Sequence, residues 1–342
     1  MHRLVSLLCT LVVAAGFAAQ PATAHTRVFK SAFPLTIVDD HGNTVHLAKA
    51  PKRIVSLDPR DTETLFAVGA EKLVVGDGGQ YVEGAAGISR LFKYPSEWPS
   101  PWGRDYPIRS KALPHVEGGC CGTHFNVETI TSLHPDLVVA PYSKTELDTF
   151  QQIRDLGFKV VILDPANLKQ ILGDLTLAGR FAGNRAKAAK VAAGMKTQLS
   201  SIKKAVKKEK NSPRVYYEID ATNPTQPFTA GPGTFIDEAI RMVHAQNVAD
   251  AASTCSGTLC YPQFSLEALV RLDPQIILLG DAAYGTSAAD VKARGGWETI
   301  SAVKSGKIYP FDDELISRAG PRIVVGIKAL AKDIHPQAFR QK

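Results

Sequence analysis

The sequence is poor in cysteine, with five residues in 342, and it contains a single long run that is both uncharged and predominantly apolar, at 4–19. Those 16 residues fall short of the ~20 that a membrane-spanning helix requires, so the run is not read as a membrane span. Glycine and proline make up 48 of the 342 residues, too few for a fibrous or disordered chain. The G-x-S-x-G, H-E-x-x-H and phosphate-loop motifs are missing, and Gly231-Pro-Gly233 lacks the lysine of a phosphate loop. We therefore expect a folded protein that is not an enzyme.

The balance of charges is basic. Lysine and arginine number 40 against 33 aspartates and glutamates, which gives a net charge of +7. This excess is compatible with anionic partners but selects none of them. A basic cluster at 203–210 lacks aromatic residues, so we interpret it as a solvated helix end and expect no nucleic-acid partner.

The amino terminus has the pattern of a cleaved signal peptide. Met1-His2-Arg3 precedes the uncharged run, and Ala22-Thr-Ala24 has the form of a signal-peptidase site. We expect cleavage before His25 and export of the mature chain. Lipidation at Cys9 is not expected, because Leu7 and Leu8 precede it in place of small residues.

Four cysteines remain after removal of the signal peptide: Cys120, Cys121, Cys255 and Cys260. An even number in an exported protein favours disulfides. A local Cys255–Cys260 bridge closes easily across Gly257, and Cys120 with Cys121 would then form a strained vicinal ring. Bridges between the two pairs, or thiols that hold a soft metal ion, are the alternatives.

Short apolar runs alternate with helical stretches along most of the chain, which predicts parallel sheets covered by helices. A hairpin at 35–47, turning at His41-Gly42, comes first. The predicted elements then form two α/β units. The first has strands at 53–57, 73–75, 137–140 and 160–163 and helices at 61–69, 126–134 and 145–156. The second has strands at 215–219, 276–279 and 307–311 and helices at 233–243, 265–272 and 320–333.

A helical segment lies between the two units. After Gly183-Asn184, apolar residues recur at helical spacing to about residue 208, over some 25 residues or roughly 37 Å. We interpret this stretch as a rigid rod between lobes, in preference to a packing helix on one sheet. The predicted divisions are a signal peptide at 1–24, a lobe at 25–166, a helical segment at 167–210 and a lobe at 211–342.

An internal repeat relates the two units. Residues 126–140 align without a gap with residues 265–279, at a constant offset of 139. Each copy has a capping residue, a Glu two positions later (Glu128 or Glu267), an apolar helical face, a Pro and a buried-type strand. A Glu in a first turn is ordinarily a partner of the helix dipole. Because the two copies are equivalent, the pair also fits a symmetric cationic partner.

Several segments together resemble the class III periplasmic binding proteins, which deliver cobalamin, ferric siderophores or haem to ABC importers. The resemblance extends over about 35–340. It implies two similar α/β lobes bridged by a single long α-helix, an α/β fold that agrees with the pattern above. The segments that carry it are Pro51-Lys-Arg-Ile-Val-Ser-Leu-Asp-Pro59, Glu63-Thr-Leu-Phe-Ala-Val-Gly69, residues 126–140, Phe228-Thr-Ala-Gly-Pro-Gly-Thr-Phe235 and Arg318-Ala-Gly-Pro-Arg-Ile323.

The resemblance also implies site residues and partners. Glu128 and Glu267 match the carboxylates that dock on arginines of a dimeric permease. The ligand would lie between the lobes, in contact with Tyr81, Tyr142, Phe228, Tyr261, Arg318 and Arg322. The alternative role of the aromatic residues is to anchor loops, and that of Arg322 is to form a structural pair with the backbone. We expect a periplasmic monomer without a cofactor of its own, with a corrinoid ahead of a ferric siderophore and then haem as the bound chelate.

Two loops depart from the family pattern. Residues 92–107 form a long aromatic and proline-rich segment, and residues 118–124 contain Cys120 and Cys121. The second loop raises an alternative function, an exported protein that binds a soft metal ion through these cysteines with His115 and His124.

Overall fold

The computed structural model describes residues 33–78, 112–116, 124–251, 255–257 and 259–340. The predicted signal peptide and Cys9, Tyr81, Cys120 and Cys121 lie outside these residues. Among the described residues, no helix has the length and apolar character needed to cross a membrane.

The predicted hairpin opens the described chain. Strands β1 (Leu35–Val38) and β2 (Thr44–Leu47) pair antiparallel, and Gly42 adopts the positive φ (79°) that their tight turn requires. The turn packs on the next sheet, because the backbone N–H of Ile162 donates to the Asp39 carboxylate at 3.0 Å.

The first lobe, here the N-lobe, is a four-stranded parallel sheet in the order β4-β3-β5-β6. Its strands are buried, as their continuous apolar sequences predict. Its elements are β3 (Ile54–Ser56), α1 (Pro59–Ala67), β4 (Val74–Asp77), α2 (Val127–Ser132), β5 (Leu137–Pro141), α3 (Leu147–Asp155) and β6 (Val160–Leu163).

The second lobe, the C-lobe, has the order β11-β10-β7-β8, with β9 also pairing with β7. All its pairs are parallel except β7 with β8. The elements are β7 (Arg214–Asp220), β8 (Phe228–Thr229), α6 (Phe235–Met242), β9 (Gln246–Asn247), α7 (Leu266–Leu272), β10 (Ile276–Leu279), α8 (Ala288–Ala293), α9 (Ser301–Ser305), β11 (Ile308–Pro310) and α10 (Ile323–Ile334).

Two helices connect the lobes, α4 (Leu168–Phe181) and α5 (Arg185–Val206). They pack closely, since a Cβ on Gly179 would fall 2.2 Å from the Ala188 Cβ. Helix α5 has 22 residues, about 33 Å, and it packs against α10 of the C-lobe. A continuous apolar core includes residues of α1, α4, α5, α6, α10 and both sheets. The long bridging helix that the resemblance implied is therefore present.

The internal repeat is structural as well. Helices α2 and α7 are capped by Asn126 and Ser265, whose side chains accept from backbone N–H groups three residues on, at 2.9 and 3.2 Å. Both copies then turn at a left-handed residue, His134 (φ 43°) or Asp273 (φ 44°), and continue into a buried strand. These two positions also differ by 139, so the equivalence extends to the backbone conformation.

Two arginines extend this equivalence beyond the repeat seen in the sequence. Arg53, before β3, donates from Nε to the Leu133 carbonyl at 3.0 Å. Arg214, at the start of β7, donates from Nε to the Leu272 carbonyl at the same distance. Each arginine therefore closes the carboxyl end of the repeated helix in its own lobe.

Candidate functional site

In each lobe the carboxyl ends of the parallel strands lie at one edge of the sheet, where ligand sites of α/β proteins form. Gly78, Tyr142 and Asp164 directly follow β4, β5 and β6. Asp58 lies two residues after β3. Gly280 and Phe311 follow β10 and β11 in the C-lobe. These two edges form the candidate site.

A buried ion pair connects the N-lobe to the C-lobe. Glu63 of α1 accepts from the backbone N–H and from Nε of Arg322, both at 2.9 Å. Glu63 is 1% exposed and Arg322 is 9% exposed. Arg322 immediately precedes α10, so this pair ties the first helix of the N-lobe to the last long helix of the C-lobe. Its observed contact is structural, and ligand binding by Arg322 stays a prediction.

Tyr142 is held in place by His41, a residue that the sequence predicts only as part of the hairpin turn. The ring of His41 stacks on the ring of Tyr142, with centroids 4.0 Å apart and planes 10° apart. The His41 Nε2 lies 3.0 Å from the Asp164 Oδ2. The hairpin turn thus supports one face of the predicted ligand-facing tyrosine.

Phe228 and Tyr261 lie close together in the C-lobe and are partly exposed, at 38% and 37%. Phe228, in β8, forms a β-bridge with Gln263, two residues beyond Tyr261. Burial raises the pKa of the Tyr261 phenol, and the carboxylate of Asp313, a few residues after β11, raises it further. The site therefore brings both aromatics to one end of the C-lobe sheet.

A disulfide fixes the segment before Tyr261. Cys255 and Cys260 are bonded, as the local pairing predicts. The loop closes on the turn after β8: the backbone N–H of Gly231 donates to the Cys260 carbonyl at 2.8 Å. A Cβ on Gly231 would fall 2.3 Å from the Cys260 Sγ, so this close contact requires glycine.

Two further side chains belong to this edge of the C-lobe. Arg318 donates from Nη2 to the Glu314 Oε1 at 2.8 Å, and a ligand contact by Arg318 stays a prediction. Tyr284, in the 3-10 helix that follows β10, is 86% exposed. Sequence reasoning missed Tyr284, since no motif distinguishes it from other loop tyrosines.

Carboxylates surround Arg60 at the corresponding edge of the N-lobe. The Arg60 Nη2 donates to the Leu163 carbonyl at 2.8 Å, and its Nε lies within 3.7 Å of Asp58 and Asp61. Asp174 of α4 is buried beside them. Burial raises the pKa of Asp174 to about 8, Asp40 and Asp164 add to the rise, and Arg60 opposes it. This carboxyl is therefore protonated at neutral pH.

The two repeat glutamates are exposed on equivalent helices. Glu128 and Glu267 lie in the first turns of α2 and α7, whose amino ends are on the same side of the lobes as the carboxyl ends of the strands. Within the described residues, neither carboxylate forms an ion pair. Both remain available for contacts outside the chain.

The alternative metal site depends on residues that the structure does not describe. Cys120 and Cys121 lie outside the described ranges, and His124 has its Nδ1 2.7 Å from the buried Glu146 Oε1. Over the described residues, no group of three His, Cys, Asp or Glu side chains is arranged to hold a metal ion.

Comparison with known proteins places this geometry in context. The family model for periplasmic binding proteins matches residues 54–315. YvrC of Bacillus subtilis, an uncharacterized ABC transporter substrate-binding lipoprotein, is 30% identical in sequence to this chain. The alignment covers 90% of this chain and 88% of YvrC. A cobalamin-binding protein of Halobacterium salinarum is 29% identical over 98% of this chain and 86% of its own.

Solved structures share the fold. The periplasmic heme-binding protein RhuT of Roseiflexus sp. RS-1, in its apo form, superposes with a TM-score of 0.65 over 84% of this chain and 99% of its own. Its sequence identity is 23%, so this likeness concerns the architecture alone.

Proposed function

The chain belongs to the periplasmic binding protein family, and from that premise we propose that it captures a metal chelate between its lobes and delivers it to an ABC importer. The name of the Bacillus relative, a substrate-binding lipoprotein of an ABC transporter, supports this assignment. The protein would act by binding and release, with the chelate as its cargo and no cofactor of its own. The working divisions are the lobes 25–166 and 211–342, joined by the segment 167–210.

The proposed cargo is a corrinoid. The observation that carries this choice is the likeness to a cobalamin-binding protein along almost the whole chain. The aromatic residues at both sheet edges, Tyr142, Phe228 and Tyr261, suit a large planar chelate, because ring faces bury extensive apolar surface. A ferric siderophore and then haem follow as candidates. A soft metal ion at the cysteine loop receives no support from the described residues.

The protein would act outside the cytoplasm, in the periplasm, after cleavage of the signal peptide. The relative YvrC is named a lipoprotein. For this chain we retain the prediction of an unlipidated mature form beginning at His25, because Leu7 and Leu8 precede Cys9. Mass spectrometry of the exported protein distinguishes that form from one acylated at Cys9.

Delivery would depend on Glu128 and Glu267. Each occupies the same place in its lobe, from the helix cap to the left-handed residue that ends the helix. Two equivalent carboxylates match the two equivalent subunits of a permease dimer, provided that each subunit presents a cation. The chain would dock as a monomer, with one lobe on each subunit.

The test combines Glu128→Ala with Glu267→Ala and measures chelate affinity and permease-dependent uptake separately. We expect unchanged affinity and at least a tenfold loss of uptake. The matched control is Glu71→Ala with Glu298→Ala, which also removes one glutamate from each lobe. Normal uptake by the first variant, or equal loss in the control, contradicts the docking role.

A further inference from the structure

The positive charge of the chain is concentrated on one segment. Residues 185–210, which comprise α5 and the turn after it, contain nine lysines and arginines and one glutamate, a net charge of +8. The whole chain carries +7, so the remaining 316 residues together carry −1. The basic character of this protein is therefore a property of α5 and the turn after it.

These cations occupy exposed positions of α5 and of the turn that follows it, together called here the basic face of α5. The opposite face is apolar and packs into the core through Ala188, Ala192, Met195, Leu199, Ile202 and Val206. Within the described residues, none of the cations of this segment has a carboxylate in ion-pair range, and Glu209 accepts from Gln337 at 2.7 Å. The cations of this basic face are Arg185, Lys187, Lys190, Lys196, Lys203, Lys204, Lys207, Lys208 and Lys210.

The exposed positions between the cations carry small side chains, which do not project beyond the lysines and arginines. These residues are Ala186, Ala189, Ala193, Gly194, Thr197, Ser200 and Ser201. Segment 185–210 contains no aromatic residue. The result is a basic surface that runs along the roughly 33 Å of α5 and has no aromatic ring on which a nucleobase could stack.

The basic face lies at the end of the molecule opposite the candidate site. Asn184, just before α5, donates to the carbonyl of Gly69, which follows α1 on the side where the N-lobe strands begin. The other end of α5 leads into the first residues of β7. Helix α5 thus connects the amino ends of the strands, whereas Tyr142, Glu128 and Glu267 belong to the other side.

We propose that the basic face of α5 docks on the anionic surface of a phospholipid bilayer. The cations are spread along a helix and do not converge on a pocket, so a planar layer of phosphates suits them better than a small anion. Each cation is attracted by the negative surface potential that the lipid phosphates create together. Since the apolar face of α5 is already buried in the core, the contact is electrostatic and involves no insertion. A protein bound in this way presents its cleft and both glutamates away from that surface.

The test is co-sedimentation of the purified exported protein with vesicles of phosphatidylglycerol and phosphatidylcholine, compared with vesicles of phosphatidylcholine alone. We expect binding to the anionic vesicles only, and release as added salt screens the charges. The test variant replaces Lys203, Lys204, Lys207 and Lys208 by Gln and should bind at least tenfold more weakly.

The matched control compares two double variants, Lys203→Gln with Lys204→Gln and Lys144→Gln with Lys169→Gln. Lys144 and Lys169 are exposed and follow the carboxyl ends of β5 and β6, on the side away from α5. The second double variant removes the same charge as the first and should bind within about twofold of the wild type. Circular dichroism and thermal unfolding establish that the variants fold. Failure of the wild type to bind anionic vesicles, or equal losses in the two double variants, overturns the proposal.

A duplex DNA of equal phosphate concentration supplies the last comparison. Weaker binding to DNA than to vesicles supports a bilayer as the occupant, and equal or tighter binding replaces it with a general polyanion site. Vesicle binding does not require a chelate, so its outcome is independent of the proposed transport function.

Discussion

At the residue scale, the site depends on contacts between distant parts of the chain. His41 stacks on Tyr142, 101 positions away, and Glu63 pairs with Arg322, 259 positions away. Neither pairing has a local signature, because helix and strand periodicity reports only neighbours within a few residues. The sequence could therefore identify Tyr142 and Arg322 as candidates without revealing what holds them.

Replacement of His41 by Ala should weaken chelate binding about three- to tenfold. The variant removes the ring that supports Tyr142, so part of the binding free energy would be used to order the tyrosine. Calorimetric titration measures the affinity. His46→Ala, on the same hairpin, removes a histidine that contacts Thr36 and should leave the affinity unchanged. Equal effects of the two variants would show that the hairpin as a whole, and not the stack, is responsible.

Asp174 should make stability depend on pH. Its folded-state pKa is raised from 3.8 to about 8, so its stabilising contribution is complete below pH 3.8 and is lost as the pH rises through 8. Between pH 5 and pH 8 the wild type should lose about 2–4 kcal/mol of unfolding free energy from this group.

Asp174→Asn should remove that dependence, because the amide resembles the protonated carboxyl and does not ionise. Urea unfolding at a series of pH values measures the effect, with the exposed Asp148→Asn as the control. A variant whose stability still falls as steeply as that of the wild type would contradict the assignment to Asp174.

At the element scale, the repeat made much of the fold predictable. Capping residues, apolar faces and prolines located α2, β5, α7 and β10 within about two residues, since these signals are local. The short elements β8, β9, α8 and α9 were not predicted. Each has six residues or fewer, too few to show a period, and tertiary contacts decide its conformation.

The repeat also predicts equal roles for Arg53 and Arg214. Arg53→Ala and Arg214→Ala should each lower the free energy of unfolding by about 1–2 kcal/mol, because a helix-ending carbonyl loses its charged donor. Chemical denaturation measures both values. Arg271→Ala, which removes an exposed arginine from α7, should change stability by less than about 0.5 kcal/mol. Clearly unequal losses at positions 53 and 214 would contradict their equivalence.

At the scale of the whole molecule, two features follow from one helix. Helix α5 extends a common apolar core across both lobes, so we expect only small changes in their relative position when a ligand binds. The same helix and the turn after it contribute the net positive charge of the chain. The candidate site and the repeat glutamates lie at the opposite end, which separates the proposed ligand and permease contacts from the proposed lipid contact.

The charge count and the helical spacing of α5 can be read from the sequence, but the place of this helix in the molecule cannot. That α5 lies at the amino ends of the strands depends on tertiary contacts, such as that of Asn184 with Gly69. The two lobes and their bridging helix followed from alternation and resemblance. The chelate did not, because it depends on the joint geometry of side chains from both lobes.

The central claim is that a corrinoid binds between the lobes. Isothermal titration calorimetry of the purified protein with cyanocobalamin, a ferric hydroxamate, a ferric catecholate and haemin tests it most directly. The account predicts one saturable, submicromolar site for cyanocobalamin, weakened at least tenfold by Tyr142→Ala combined with Tyr261→Ala. Saturable binding of haemin or a ferric siderophore in its place would contradict the corrinoid assignment, and no binding of any of the four would contradict capture of a chelate.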